Sequence, residues 1–410
     1  MQLKQVKLLR VAAMMIIGCV LGFELLTVVY CLPLDTVRDP EGTAAIFREE
    51  GNRPAAIPGY PGTTGDGYTD ALMITEALYD DPTVSPLQQA VYVNRRAHSE
   101  SASADLVRLL EGGEMQWTIK YTRYWHGFLV FLRPLLMLFS YADLRMLMCT
   151  AQMLMIGAML VLMTKKNHTE LLAPFFAACL TLSPMGTTLS LQYFSAYAIM
   201  MLGMLGVLLY DERLSRGAGY FYYFLLLGML TCYFDFLTYP LVTVCMPLIL
   251  VLYLHRDDKD LLCFAIAAGI AWCVGYLGFW AMKWVVGSLL VGEDLVYNAY
   301  HHASYQMSTA DTTGGNRFEA IARNLAAVCR PGYAVLYLSC AACCLRGRHD
   351  WRTLLHGGRW VIAAAALVPF VWWPLAASHS IVHSIFTHRL LAITVFALLT
   401  FIVSARPAKK

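Results

Sequence analysis

The sequence is short of charge. Only 14% of its 410 residues are Asp, Glu, Lys or Arg, where soluble domains average about 25%. A chain this poor in charge and 58% hydrophobic cannot cover a water-facing surface, which excludes a soluble multidomain enzyme. It also excludes a disordered chain, which combines low hydrophobicity with high charge. The formal net charge is only +3 and no basic run is interleaved with aromatics, so no nucleic acid is expected as a partner. Internal repeats, low-complexity tracts and Gly-rich phosphate loops are missing. None of the twelve cysteines falls between Leu32 and Met148, so the longest polar stretch holds together without a disulfide framework. The cysteines read as small apolar core residues.

What is present is one apolar run after another. A spanning helix needs about 20 predominantly apolar residues, and roughly ten such runs occur, at 9–32, 144–163, 170–188, 190–210, 219–237, 238–254, 261–289, 326–345, 359–377 and 388–404. The expected fold is an all-α polytopic membrane protein of about ten transmembrane helices in a lipid bilayer. The stretch 126–143 is short and broken by Arg133-Pro134, and reads as a helix on the outer interface. Ten spans with both termini cytoplasmic place 16 of the 31 basic residues on the inner side, as the positive-inside rule requires. The first run continues past any small-residue cleavage site and reads as a retained signal anchor.

This divides the chain into a signal-anchor helix (1–32), an extracytoplasmic loop domain with interfacial helices (33–143) and a transmembrane bundle (144–289). A second extracytoplasmic loop (290–325) and C-terminal transmembrane helices with a short cytoplasmic tail (326–410) complete it. The segment 35–125 carries 14 acidic and 8 basic residues. It reads as an extended Pro54–Gly67 stretch followed by helices near 69–79, 85–95 and 102–112.

Ionisable groups gather on the outer side, where a site is therefore expected. Gly65-Asp66-Gly-Tyr-Thr-Asp70 opens a helix and sets Asp66 and Asp70 four apart, on one side of it. A carboxylate held there is a candidate general base, although capping and the helix dipole explain the same pattern. Asp35 and Asp39, just past the first span, are rivals. Arg123 and His126 in the aromatic cluster Lys120–Gly127, with Arg133 beyond, are candidates for gripping a lipid phosphate or sugar. His379 and His383 are four apart, a spacing too weak alone to assign a metal; a divalent metal stays an open expectation with no ligand set. Arg389 starts the last span on the outside, against the charge rule, and points to an anion. Of the ionisable residues inside spans, Asp235 is expected to face the site, Lys283 either faces it or snorkels outward, and Glu24 is expected to pair inside the bundle.

In this order of parts the chain resembles the GT-C superfamily of membrane glycosyltransferases. The run from Trp125-His-Gly127 through Leu132-Arg-Pro134, Leu144-Arg145, the Lys165-Lys166 turn and Leu182-Ser-Pro184 is similar to protein mannosyltransferase-like and aminoarabinose transferase-like members. The resemblance implies a polyprenyl-phosphate-linked sugar donor, a glycan, lipid or polymer acceptor, an outer-face active site and a base in the first outer loop. That base often belongs to an Asp-Glu or Asp-Asp pair. Asp35-Thr-Val-Arg-Asp39 is not one, so Asp66, Asp70 and Asp35 all stay open. Arg123, Arg133, Lys283 and Arg389 are the candidate cations for the leaving phosphate, and inversion is implied because no second, nucleophilic carboxylate is identifiable. A bacterial cytoplasmic membrane is the expected location. A flippase or transporter of lipid-linked glycans is one alternative, predicting repeats and broken helices. A membrane-bound acyltransferase is another, predicting a deeply buried His where these histidines read as interfacial.

Overall fold

The computed structural model describes residues 5–99, 101–355 and 358–406. Lys4, Glu100, Lys409 and Lys410, which enter the charge counts above, lie outside the described residues. The chain opens with α1 (Leu8–Tyr30), an apolar helix leading into a small domain, termed the outer domain after the side of the membrane expected for it. That domain contains α2 (Pro40–Glu50), α3 (Gly67–Ala77), α4 (Pro86–Tyr92), β1 (Asn94–Ala97), α5 (Ala102–Leu110) and β2 (Trp117–Lys120). Its helices begin where the sequence supplies caps. Asp39 accepts from Gly42 N at 3.0 Å, Ser85 and Gln88 form a capping box ahead of α4, and Ser101 caps α5. Such side chains satisfy the amide groups that a helix start leaves orphaned. The antiparallel β1–β2 pair, with Ala97 opposite Trp117 and Asn94 opposite Lys120, was not legible as strands.

A short α6 (Leu129–Leu138) leads to α7 (Tyr141–Lys165), α8 (Leu172–Thr181), α9 (Pro184–Thr188) and α10 (Leu191–Leu214). Then follow α11 (Gly219–Phe234), α12 (Val242–Leu254), α13 (Leu261–Val291) and α14 (Leu295–Gln306). The last part holds α15 (Glu319–Val328), α16 (Pro331–Leu345), α17 (Trp360–Ala364), α18 (Val368–Leu375), α19 (Ala377–Val382), α20 (Ser384–Thr387) and α21 (Leu391–Ser404). Among the described residues, five helical segments are long and apolar enough to cross a membrane: 8–30, 141–165, 191–214, 261–291 and 384–404. The protein is thus a mostly helical, multi-pass membrane protein. At 31 residues, α13 is about 46 Å long, longer than the hydrocarbon core it would cross.

Several expected spans take another form. The 326–345 run is not straight: α15 and α16 meet at 81°, because Pro331 lacks an amide donor and pushes the residue before it out of the helical region. The 170–188 run is split between α8 and α9 at Ser183, which lies at φ 55° ahead of Pro184. Glu24 does not pair inside the bundle. Its side chain is on the exposed face of α1 beside Leu21 and Leu25. A helix apolar all round gives no periodic clue to its inner face.

The outer domain is fastened to the bundle by one buried carboxylate. Asp70, fully buried, accepts from Tyr141 Oη at 2.7 Å, Leu191 N at 2.9 Å, Ser190 Oγ at 3.1 Å and Gln192 N at 3.3 Å. It thereby ties α3 to α7 and caps the amino end of α10, where a negative charge meets the positive end of the helix dipole. Arg145 extends the link, donating to Tyr141 Oη at 3.1 Å and in a two-pronged bond to Glu50 at 2.8 and 2.7 Å. Asp70→Asn puts an amide donor where four donors converge, at an expected cost of about 1.5–3 kcal/mol. Thermal unfolding in detergent should show a melting temperature several degrees below native, whereas Asp35→Asn, at an exposed carboxylate, leaves it unchanged.

Candidate functional site

A cavity of about 350 Å³ opens where the outer domain meets the ends of the bundle helices. One wall is the start of α3, with Asp66 and Thr69, and the loop carrying Asn52 and Arg53. Tyr121, Tyr124 and Phe236 form an aromatic wall, and Gln192 enters from the start of α10. His302 and Gln306 of α14, with His379 and His383 from the α19 region, close the far side.

Asp66 does two things at once. Its Oδ1 accepts from Thr69 N at 3.1 Å and its Oδ2 from Thr69 Oγ1 at 2.8 Å, the geometry of a helix cap. It also lines the cavity while only 5% exposed. Burial raises its pKa above the ordinary 3.8, against the opposing pull of the Thr69 hydrogen bonds and of Arg53 and Arg389. A carboxylate with raised basicity facing a cavity is suited to accept a proton.

The imidazoles are kept neutral. Burial, with help from neighbouring charges, lowers His302 and His383 to about 4 and His379 well below 6.5. The rings of His379 and His383 lie 4.9 Å apart, and His302 Nε2 is 3.2 Å from Gln306 Nε2. Apart from an approach to the backbone of Leu237, neither ring nitrogen of the buried His379 has a hydrogen-bond partner among the described residues, and Gln192 Oε1 has none there either. Unmet polar atoms around one cavity cost about 1–3 kcal/mol each and are what a polar ligand would satisfy.

Of the expected site residues, Asp66, His379 and His383 come together here. Asp70 is one turn away but faces the bundle, and Asp35 is exposed on the α1–α2 link outside the cavity. Three of the expected phosphate-binding cations are spent on helix ends instead. Arg133 donates to Ala77 O at 2.6 Å and Tyr79 O at 3.1 Å, past the end of α3, and to Leu32 O at 2.6 Å. Lys283 donates to Ala90 O at 3.1 Å and Val91 O at 2.9 Å in the last turn of α4. Arg389 donates to Leu182 O at 3.1 Å, past the end of α8, and lies 4.0 Å over the Tyr193 ring. A cation satisfies the orphan carbonyls at a helix carboxyl end and complements its dipole.

Arg123 is half-buried beside the cavity, its guanidinium 4.8 Å from the centre of the Tyr121 ring. His126 lies behind the wall, 3.0 Å from Glu76 Oε2 and 2.8 Å from Tyr121 O. Both of its ring nitrogens therefore face acceptors, and the buried pair fixes the turn that carries Tyr121. Asp235 caps its own turn, accepting from Thr238 N at 2.9 Å and from Thr238 Oγ1, and so aims Phe236 at the cavity.

Arg53, His302, Gln306 and Gln192 are cavity residues that the sequence did not assign. His302 and Gln306 have helical spacing on the second outer loop, and Gln192 is a polar residue at a helix start; those are the only local signals. Arg53 is the one guanidinium lining the cavity among the described residues. Among those residues no group of three or more His, Cys, Asp and Glu side chains is arranged to hold a metal ion. Cys340 and Cys343, at C-x-x-C spacing in α16, are free, as are the other ten cysteines.

No family model matches the chain, nor does any curated protein or solved structure.

The lowered imidazole pKa values have a consequence for stability. Unfolding restores values near 6.5, so the unfolded chain binds more protons than the folded one between about 6.5 and 4, and acid destabilises the fold in that window. Melting temperature should fall as pH drops from 7 to 5, and His383→Gln should flatten that slope. An unchanged slope means that His383 does not titrate in this way.

Proposed function

We propose that the protein is an integral membrane glycosyltransferase of the GT-C type, moving a sugar from a polyprenyl-phosphate donor to an acceptor outside the cytoplasm. The observation that carries this reading is the convergence of Asp66, Arg53 and three neutral imidazoles on one cavity beneath the outer domain. Taking the bent α15–α16 pair and the shorter apolar helices other than α6 as crossings gives ten spans. Both termini are then cytoplasmic, the cavity is on the outer face, and a bacterial cytoplasmic membrane is the setting.

The chemistry follows from charge. Asp66 takes the proton of the acceptor hydroxyl as its oxygen bonds to the anomeric carbon. The bond from that carbon to the phosphate oxygen breaks, and its electron pair leaves on the polyprenyl phosphate. Attack opposite the leaving group inverts the anomeric centre. Arg53 faces the anion with a planar fork of donors suited to phosphate, and the imidazoles offer hydrogen bonds without adding charge. Tyr121, Tyr124 and Phe236 supply flat apolar faces for the sugar ring.

The deeply buried His379 favours a second reading, a membrane-bound acyltransferase in which that imidazole is the base. One pair of variants separates the two. Asn caps helices as well as Asp, so Asp66→Asn should retain its melting temperature while transfer from labelled polyprenyl-phosphate sugar falls by about 10²–10⁴-fold, the usual worth of a general base. Under the acyltransferase reading His379→Gln is the silencing change and Asp66→Asn is not. Arg53→Gln removes a cation that lowers the Asp66 pKa. The acid limb of the pH–rate profile should therefore move to higher pH, together with weaker donor binding. Full turnover by both Asp66→Asn and Arg53→Gln would end the transferase reading.

A further inference from the structure

At the end of the molecule away from the outer domain there is an open pocket of about 570 Å³, lined by Lys7, Arg10, Arg216, Tyr222 and the 217–219 turn. Its place follows from the helices that lead to it. Lys7 immediately precedes α1, whose 23 residues cover about 34 Å before the chain enters the outer domain. Leu214, two residues before Arg216, ends α10, which starts at the Asp70 joint. The pocket is therefore at the shared end of two helices long and apolar enough to cross a membrane.

Three cations meet there without an anion. No carboxylate lines the pocket, and Lys7, Arg10 and Arg216 reach none at contact distance among the described residues. Asp211 is engaged instead with Tyr220 and His255, and Glu212, four residues before Arg216, makes no ion pair with it. A neutral donor is also spare. Tyr222 Oη accepts from Lys7 N at 2.9 Å, which leaves the hydroxyl's own hydrogen with no acceptor among the described residues. The first turn of α11 adjoins the pocket with no side-chain cap, so the positive end of its dipole adds to the same field.

A basic residue near the end of a span is ordinary. Three around one concavity, with no counter-ion, repel one another until an anion neutralises them. Two guanidinium forks, an ammonium and a hydroxyl match the oxygens of a phosphate group. What adjoins the pocket sets the source of that phosphate. Leu8 and Leu9, beside Lys7 and Arg10, are each 82% exposed, an apolar surface that suits acyl chains where α1 enters the bilayer. A ligand with its phosphate in the pocket and hydrocarbon along Leu8 and Leu9 is a phospholipid.

We propose that this pocket binds the headgroup of an anionic phospholipid, at the end of the molecule remote from the cavity that holds Asp66. The site does not depend on the transferase reading. The test uses the full-length protein in dodecylmaltoside, titrated with dioleoylphosphatidylglycerol or dioleoylphosphatidylcholine. Native mass spectrometry then counts the lipids retained.

One phosphatidylglycerol should be retained at concentrations where phosphatidylcholine is not. Arg10→Gln combined with Arg216→Gln should weaken its binding by about 30-fold, the combined worth of two cations at a lipid surface. Arg10→Lys combined with Arg216→Lys should recover most of that loss, which separates lost charge from a damaged fold. Lys165→Gln combined with Lys166→Gln, at two exposed cations ending α7, should leave the lipid bound as in the native protein. Equal retention of the two lipids, or equal loss from both Gln pairs, overturns the site. Displacement of the lipid by millimolar inorganic phosphate, but not by equal chloride, makes the ligand a soluble phosphate and overturns the lipid assignment.

Discussion

The joint beside the candidate site rests on one carboxylate that does not line its cavity. Asp70 is sealed at the junction of α3, α7 and α10, where it receives two backbone amides and two hydroxyls. Burial raises its pKa to about 6, against the pull of Tyr141 and Leu191. That cost is tolerated because the charge neutralises a helix amino end and joins the outer domain to the bundle. Two of the residues facing the cavity are placed directly by this joint. Asp66 is one turn before it on α3, and Gln192 is held through its own amide. A domain of short helices has little core of its own, and polar ties of this kind are what orient it.

The same logic explains where the cations went. Buried cations need several acceptors, and the carboxyl ends of helices offer unpaired carbonyls in clusters. Arg133, Lys283 and Arg389 each occupy such an end, at α3, α4 and α8. They brace the elements around the cavity instead of lining it. From the sequence, a lone basic residue near an outer helix end looks the same whether it awaits a phosphate or a carbonyl, because the acceptors come from segments distant in the chain. For Lys283 the partners are almost two hundred residues away.

Much of the fold was legible because it rests on local pattern. The apolar runs gave α1, α7, α10, α13 and α21 to within about four residues at each end, and turn chemistry placed α3, α4 and α5. The strand pair was not legible: its strands are four residues each, nineteen residues apart with α5 between them, too short for an alternation to register. The bend at Pro331 was present in the sequence but concealed by apolar residues on both sides. In the candidate site, Asp66 was one of three carboxylates the sequence left open, and the His379–His383 pair was noted for its spacing alone. Arg53 was not, since nothing near it in sequence distinguishes it from seven other basic residues of the outer segment. Only long-range packing selects it.

The residues that build this fold and those that face the cavity differ in how strongly they are paired. Asp70, Arg133, Lys283, Arg389 and the Glu76–His126 pair each have strong buried partners, although Glu76 Oε1 and Arg133 Nε are left without one. Asp66 has bonds from one threonine only, His379 and Gln192 have buried polar atoms without a standard partner, and Arg53 reaches no carboxylate at contact distance among the described residues. Native interiors leave few polar groups unmet. When several such groups face a single cavity, unspent hydrogen-bonding capacity rather than charge alone marks where a polar substrate would be held. By that criterion a polar substrate would sit between Asp66 and the imidazoles, with the buried basic residues around the cavity as its frame.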